Sequence, residues 1–257
     1  MKSHLIKTKN LINKVSHWAL NVILPPQCLS CSVRIDKAHN ICPNCWKDLN
    51  FISEPMCDCC GYPFEFQVHH GNIGKNLCGQ CLSQERSFDK AISALRYDTI
   101  SRKMIIGYKH HDRTEFAVFF AKLLQQIGNE ILNQTDIIIP VPLHQRRLFK
   151  RRYNQSALIA EILSKEYNIK HVPELLVRIK NTPPQEGNVR KRAKNVRGAF
   201  KINPEQADKI KGKTILLIDD VYTTGATIEN CSIVLKKSGA ETINVMTVTR
   251  VITPKTL

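Results

Sequence analysis

Two observations predict an α/β fold preceded by a small cysteine-held domain. From about residue 88 onward, strand-like and helix-like segments alternate, and nine of the ten cysteines are crowded between residues 28 and 81. Alternation of this kind builds a mostly parallel sheet with helices on both faces. A chain of 257 residues has room for both parts. Its 42% hydrophobic and 23% charged residues exclude a largely disordered, collagen-like or membrane-embedded protein.

At the N-terminus, apolar residues at 11, 12, 15, 18, 19, 22 and 23 follow the helical period, which predicts a short amphipathic helix over 1–24, ending at Pro25-Pro26. The longest apolar stretch, Val15 to Leu24, is broken by Ser16, His17 and Asn21. It falls short of the ~20 residues that span a bilayer and does not read as an export signal. The expected location is the reducing cytoplasm, with a peripheral contact at the inner face of the membrane through Lys2, Lys7, Lys9 and Lys14 as the lesser alternative. In that compartment, clustered cysteines are metal sites before they are disulfides.

Residues 25–86 form the predicted cysteine domain. Four Cys-x-x-Cys knuckles, Cys28/Cys31, Cys42/Cys45, Cys57/Cys60 and Cys78/Cys81, supply eight thiolates. Two knuckles close one tetrahedral zinc site, so two structural zinc ions are expected. Pairing the knuckles in sequence gives two ribbons, while interleaved pairing satisfies the same count. Cys59 is left over, and Gly61 suits the positive φ such a knuckle needs. Cys231, far downstream, reads as a small buried side chain, and the pairs His69-His70 and His110-His111 are not needed as ligands. A segment this short needs a staple to fold.

Residues 88–257 form the predicted α/β domain. Strands are expected at 91–97, 137–142, 196–202, 214–219 and 242–251, and helices at 114–132, 154–167 and 226–238. The segment 214–227 reads TILLIDDVYTTGAT: a buried strand, two carboxylates, a turn of small residues, then a helix from about Ala226. Such a turn at a helix N-terminus offers amides and hydroxyls to a phosphate. The carboxylates of Asp219 and Asp220 can accept from vicinal ribose hydroxyls or help hold Mg²⁺. A phosphate and a diol at one strand end describe a ribose 5-phosphate.

Charge is concentrated near that domain's centre. The 38 Lys and Arg against 22 Asp and Glu give a formal +16, which two four-thiolate zinc sites would lower to about +12. Residues 144–152 carry +5 and residues 178–201 carry +7, hence +12 of the formal charge on two basic loops. Such loops take phosphates, nucleic acid or an anionic membrane surface.

The run ILLIDDVYTTGAT resembles the phosphoribosyl-pyrophosphate motif of type I phosphoribosyltransferases. That resemblance implies a phosphoribosyltransferase-like sheet. Asp219 and Asp220 would contact the ribose hydroxyls, and Tyr222, Thr223, Thr224, Gly225, Ala226 and Thr227 would wrap the 5-phosphate. Together with the knuckles, YKHHDR at 108–113, IIIPVPLHQRRLFKRRYNQ at 137–155, and a loop bearing Arg178, Thr182, Gln185, Arg190, Arg192 and Asn195, the chain resembles the ComF family of competence-associated proteins from about residue 22 to 251. By that likeness, 141–155 corresponds to a pyrophosphate loop and 178–197 to a loop that closes over it. Lys109, Arg146, Arg147, Lys150, Arg151, Arg152, Arg190 and Arg192 would then hold pyrophosphate or a nucleic-acid backbone.

The implied function is natural transformation, with single-stranded DNA bound on the basic face and phosphoribosyl pyrophosphate as a ligand. Phe149, Tyr153 and Phe200 are the aromatic residues near the basic loops that can stack bases. The alternatives are an active Mg²⁺-dependent phosphoribosyltransferase with an unassigned acceptor, and a zinc-ribbon adaptor to DNA-uptake machinery proteins.

Overall fold

The computed structural model of the chain describes residues 25–66, 75–110, 113–181 and 197–252. The predicted N-terminal helix, the His69-His70 pair, His111, and Arg190 and Arg192 lie outside the described residues. The chain forms two compact units that meet in sequence between Asp48 and Leu49. The first cysteine set therefore belongs to one unit, and the second shares a unit with the sheet.

In the first unit, the short helix α1 (Pro43–Lys47) begins at Cys42, whose sulfur accepts from the Cys45 N–H, with proline in the opening turn. Proline is tolerated there because the first helical N–H groups have no intrahelical partner. In the second unit, α2 (Gly79–Ser83) starts at Cys78, also in extended backbone.

Five parallel strands form the main sheet: β1 (Lys90–Arg96), β2 (Ile137–Pro140), β3 (Lys170–His171), β6 (Thr214–Tyr222) and β7 (Thr242–Arg250), in the order β1-β7-β6-β2-β3. The central strands β6 and β7 are buried almost throughout; β6 reads as an apolar run up to Asp219, whereas β7 buries Asn244, Thr247, Thr249 and Arg250 among its apolar residues. The predicted strand at 196–202 does not join this sheet. Its described part, β5 (Phe200–Ile202), pairs antiparallel with β4 (Leu176–Arg178) in a separate two-stranded sheet.

The helix α4 (Phe116–Asn133) buries Phe116, Phe119, Phe120, Leu123 and Leu124 at the predicted spacing. The helix α6 (Gln155–Tyr167) is capped by Asn154, whose side chain accepts from the Ser156 N–H. Besides the short α1 and α2, two helices go beyond the sequence expectation. In α3 (Thr99–His110), Ser101, Met104, Ile105 and Tyr108 are buried at i, i+3, i+4 and i+7, and the Asp98 carboxylate accepts from the Ile100 and Ser101 N–H groups. The other, α5 (Gln145–Arg151), turns the first predicted basic loop into a helix, begun by the His144 ring accepting from the Arg146 N–H.

Strand β1 is a sheet edge, and the chain of the second cysteine set covers it. Ile52 N–H donates to Ala94 O, Arg96 N–H to Asn50 O, and Ala91 N–H to Cys59 O, at 2.7 to 2.9 Å. An uncovered edge would leave a row of unpaired backbone groups open to pairing with another chain. Gly61 has φ +67, as its knuckle requires, and a Cβ there would press on the Ala91 carbonyl.

Candidate functional site

The cysteines group in sequential pairs. The sulfurs of Cys28, Cys31, Cys42 and Cys45 lie within 4.8 Å of one another, and so do those of Cys57, Cys60, Cys78 and Cys81, which removes the interleaved alternative. A tetrahedral centre with zinc–sulfur bonds of about 2.3 Å has sulfur–sulfur edges of about 3.8 Å. The Cys31–Cys42 and Cys60–Cys78 sulfurs are 3.7 and 3.6 Å apart, so both sets fit zinc. Backbone N–H groups point at the sulfurs, Cys42 to Cys28 at 3.2 Å and Cys78 to Cys57 at 3.3 Å. These bonds favour the thiolate: although burial pushes the Cys28 thiol up, the N–H groups around it bring it down to about 6. The metal supplies folding free energy to such knuckles when bound. Cys59 belongs to neither set, and Cys231 is fully buried on α7 (Ala226–Lys237).

The second feature is a cleft of about 1020 Å³ at the carboxyl ends of β2 and β6, where parallel sheets bind ligands. Strand β6 runs three residues beyond its predicted end, because pairing with β7 continues to Tyr222 opposite Arg250. Asp219 and Asp220 therefore sit on the strand itself and meet different elements. Ser156 Oγ, from the first turn of α6, donates to Asp219 Oδ1 at 3.1 Å, and the Asp220 N–H donates to the same oxygen at 2.9 Å. Lys109 Nζ, from the last turn of α3, lies 2.7 Å from Asp220 Oδ2. Burial, and then the neighbouring Asp220, push the Asp219 carboxyl up to about 7 against the opposing pull of Lys109 and Ser156.

That ion pair bears on magnesium. An ammonium already occupies the side of Asp220 where a divalent cation would need an oxygen. Among the described residues, only the two cysteine sets assemble three or more metal-ligating groups. The pair as arranged does not fit a magnesium site.

The turn after β6 divides its residues. Thr223, Gly225 and Thr227 line the cleft with Asp219 and Asp220. Thr224 Oγ1 instead accepts from the Ala226 N–H at 3.4 Å, and neither Thr224 nor Ala226 lines the cleft. The Tyr222 ring is buried under the turn. Gly225 has φ +76, and a Cβ there would fall on the Tyr222 hydroxyl. Gly225→Ala is expected to displace the turn and abolish stabilisation by ribose 5-phosphate in a thermal-shift titration. Undiminished stabilisation would show that the turn does not hold the phosphate.

The basic residues are also sorted. Arg147, Lys150, Arg151 and Arg152 line the cleft, whereas Arg146 is exposed outside its lining. Arg178, predicted on a loop, is buried on β4 against the Phe200 ring and reaches the same cleft. Burial, then the nearby Arg178 and Arg151, lower the affinity of Arg147 for its proton. Phe149 stands 91% exposed on α5 among these charges.

Ser156, Gln155 and Arg250 do not stand out in the sequence. Gln155 is buried in the cleft wall with its Nε2 unpartnered, its Oε1 accepting from Arg151 and its backbone carbonyl from the Tyr108 hydroxyl. Only the Asn-Gln-Ser start of a helix directly after a basic run hints at the first two.

Comparison with known proteins gives two family matches. Residues 19–83 match the double zinc ribbon domain and residues 117–255 the phosphoribosyl transferase domain. Competence protein F of Haemophilus influenzae is 30% identical over 85% of this chain and 94% of its own. The DNA utilization protein YhgH of Escherichia coli O6:H1 is 28% identical over 86% and 96%, and competence protein ComFC of Bacillus subtilis is 25% identical over 82% and 84%. Among the described residues no helix is long and apolar enough to cross a membrane.

Proposed function

Since the chain belongs to the competence protein F family and carries both a double zinc ribbon and a phosphoribosyl transferase domain, we propose that it handles single-stranded DNA during uptake, on the cytoplasmic side of the membrane. In this reading α5 holds the strand, and the cleft beside it holds a phosphoribosyl ligand. The observation that carries it is the helix with its C-cap: five cations and an almost fully exposed Phe149 at the rim of a cleft whose floor has two carboxylates and a phosphate-type turn. Lys and Arg meet backbone phosphates without regard to sequence, and an exposed ring stacks any base. The relatives' names, competence and DNA utilization, support the same process.

Within the cleft, the 5-phosphate would meet the amides of the turn at the start of α7, and the ribose hydroxyls would donate to Asp219 and Asp220. Arg147, Arg151 and Arg178 would face the pyrophosphate of phosphoribosyl pyrophosphate. The test is fluorescence anisotropy of labelled single-stranded DNA over a range of salt. A slope of log K against log salt of about −3 is expected, from four or five phosphate contacts at ~0.7 each. Competition by phosphoribosyl pyrophosphate is expected as well. Absent binding at low salt, or a flat salt response, would sink the reading.

The paired carboxylates also favour a second reading, an active phosphoribosyltransferase. Its sign would be pyrophosphate release from phosphoribosyl pyrophosphate that Asp219→Asn abolishes.

A further inference from the structure

Arg250, the last residue of β7, is buried to 3% exposure, and among the described residues it has no carboxylate partner. A lone buried guanidinium is costly unless an anion compensates it. Its partner here is a residue of the second cysteine set, which would be an anion with zinc bound: Nη1 donates to the Cys60 carbonyl at 2.7 Å and Nη2 to Cys60 Sγ at 3.5 Å. The guanidinium carbon also lies 4.0 Å from the centre of the Tyr222 ring and 5.4 Å from that of Tyr62. Tyr222 is the ring on which the Gly225 turn rests so closely that no Cβ fits between them.

A second guanidinium stands beside the same centre. Arg86 donates through Nη2 to Gln80 Oε1 at 3.4 Å and stands close enough to Cys81 and to Glu229 of α7 to feel the charge of each, while Glu229 accepts from the Ser87 N–H and hydroxyl. A zinc ion with four thiolates carries a net charge of about −2, which two guanidinium ions offset. Hydrogen bonds to metal-bound sulfur hold ligands in place and tune the metal's retention.

The first cysteine set is built differently. Cys31 is exposed and Cys45 half-buried, whereas all four members of the second set are buried. Among the described residues no guanidinium is hydrogen-bonded to the first set's sulfurs.

We propose that the second zinc centre is a structural part of the phosphate-type turn, tied to it through Arg250, which bonds Cys60 and packs on Tyr222, with Arg86 completing the charge balance, while the first centre has no such role. Arg250 is a positioning residue in this scheme. The proposal concerns the shape of the turn and stands whether or not a phosphoribosyl ligand binds there.

The test uses the full-length protein with both zinc ions counted by native mass spectrometry. Zinc is withdrawn stepwise with a chelator, alkylation of freed cysteines identifies the emptied set, and deuterium exchange is followed at 222–227. The zinc of Cys28, Cys31, Cys42 and Cys45 is expected to leave at least tenfold faster without altering exchange at 222–227. Loss of the second zinc is expected to raise exchange there several-fold while 137–140 in β2 stays protected. Arg250→Lys, which keeps the charge but loses the fork and the stacking, is expected to release the second zinc about tenfold faster than wild type and the first unchanged.

Equal release rates from the two centres, unchanged exchange at 222–227 after loss of the second zinc, or an equal rise at 137–140 would each overturn the proposal. If Arg250→Lys does not fold, the stepwise withdrawal from wild type decides alone. A two-zinc protein that ribose 5-phosphate does not protect from exchange would instead count against the ligand assigned to the cleft.

Discussion

Reversing charge at Arg146, Lys150 and Arg152 to glutamate is expected to weaken single-stranded DNA binding by about 100-fold at 50 mM salt and to reduce the salt slope by about 2. Arg146, Lys150 and Arg152 are all exposed, and Lys150 and Arg152 line the open cleft, so the change falls on the surface that would meet the strand. The slope is the informative quantity, because each lost phosphate contact removes ~0.7 from it and the deficit in affinity therefore shrinks as salt rises.

Phe149→Ala provides the complementary measurement. Removing a stacking ring costs about 1–3 kcal/mol per base, roughly 5- to 150-fold in affinity. Because no charge is lost, the slope should stay at its wild-type value. If Phe149→Ala changes neither quantity, bases do not stack on α5. If the triple variant binds as wild type does, the strand runs elsewhere. Zinc content and circular dichroism of each variant establish that the fold is retained.

The second large effect is on stability and has the opposite sign to the usual loss at a polar site. Asp219→Asn is expected to stabilise the protein at pH 8 by about 2 kcal/mol, raising Tm by about 4–8 °C for a unit of this size. An ordinary aspartate has a pKa near 3.9. With Asp219 pushed up to about 7, the native state retains a proton that the unfolded chain has released between about pH 4 and 7. Stability therefore falls as pH rises through that window and remains reduced above it.

A carboxyl moved from its ordinary range to about 7 resists ionisation in the fold by about 4 kcal/mol, and water reaching this half-buried group from the cleft screens part of that. Asparagine keeps the oxygen that accepts from Ser156 Oγ and from the Asp220 N–H while removing the buried charge. The difference in Tm between variant and wild type should decline steadily as pH falls from 8 to 5. Zinc release from protonated thiols limits measurement at lower pH. A difference that does not vary with pH, or a variant less stable than wild type at pH 8, would refute the assignment of a strained carboxyl. The same variant should lose stabilisation by ribose 5-phosphate, so that stability and ligand binding move in opposite directions.

Legibility in the sequence follows chain distance. The knuckles, the helical stripe on α4 and the run from Thr214 to Thr227 are contiguous or periodic, and a contiguous pattern states its local geometry directly. Helix α3 is hidden in the sequence because Gly107 and scattered charges interrupt a stripe that only four buried residues define. The basic run at 144–152 has a loop's composition, since it lacks an apolar face. His144, which caps the helix, resembles no common N-cap residue. The acids at 219 and 220 suggest a strand end, because acids usually close strands, whereas β7 keeps pairing with β6 through Tyr222.

The sequence by itself determined the eight sulfurs, the alternating order of strands and helices, the turn of small residues after β6 and the concentration of charge. Each is a matter of residues adjacent in the chain or separated by one structural period. Tertiary structure alone decided which knuckles share a centre, that the second centre belongs with the sheet, and how the carboxylates are held. Ser156 reaches Asp219 across 63 positions and Arg250 reaches Cys60 across 190. Such pairs leave no pattern in the chain, because only the packing of the sheet brings their elements together.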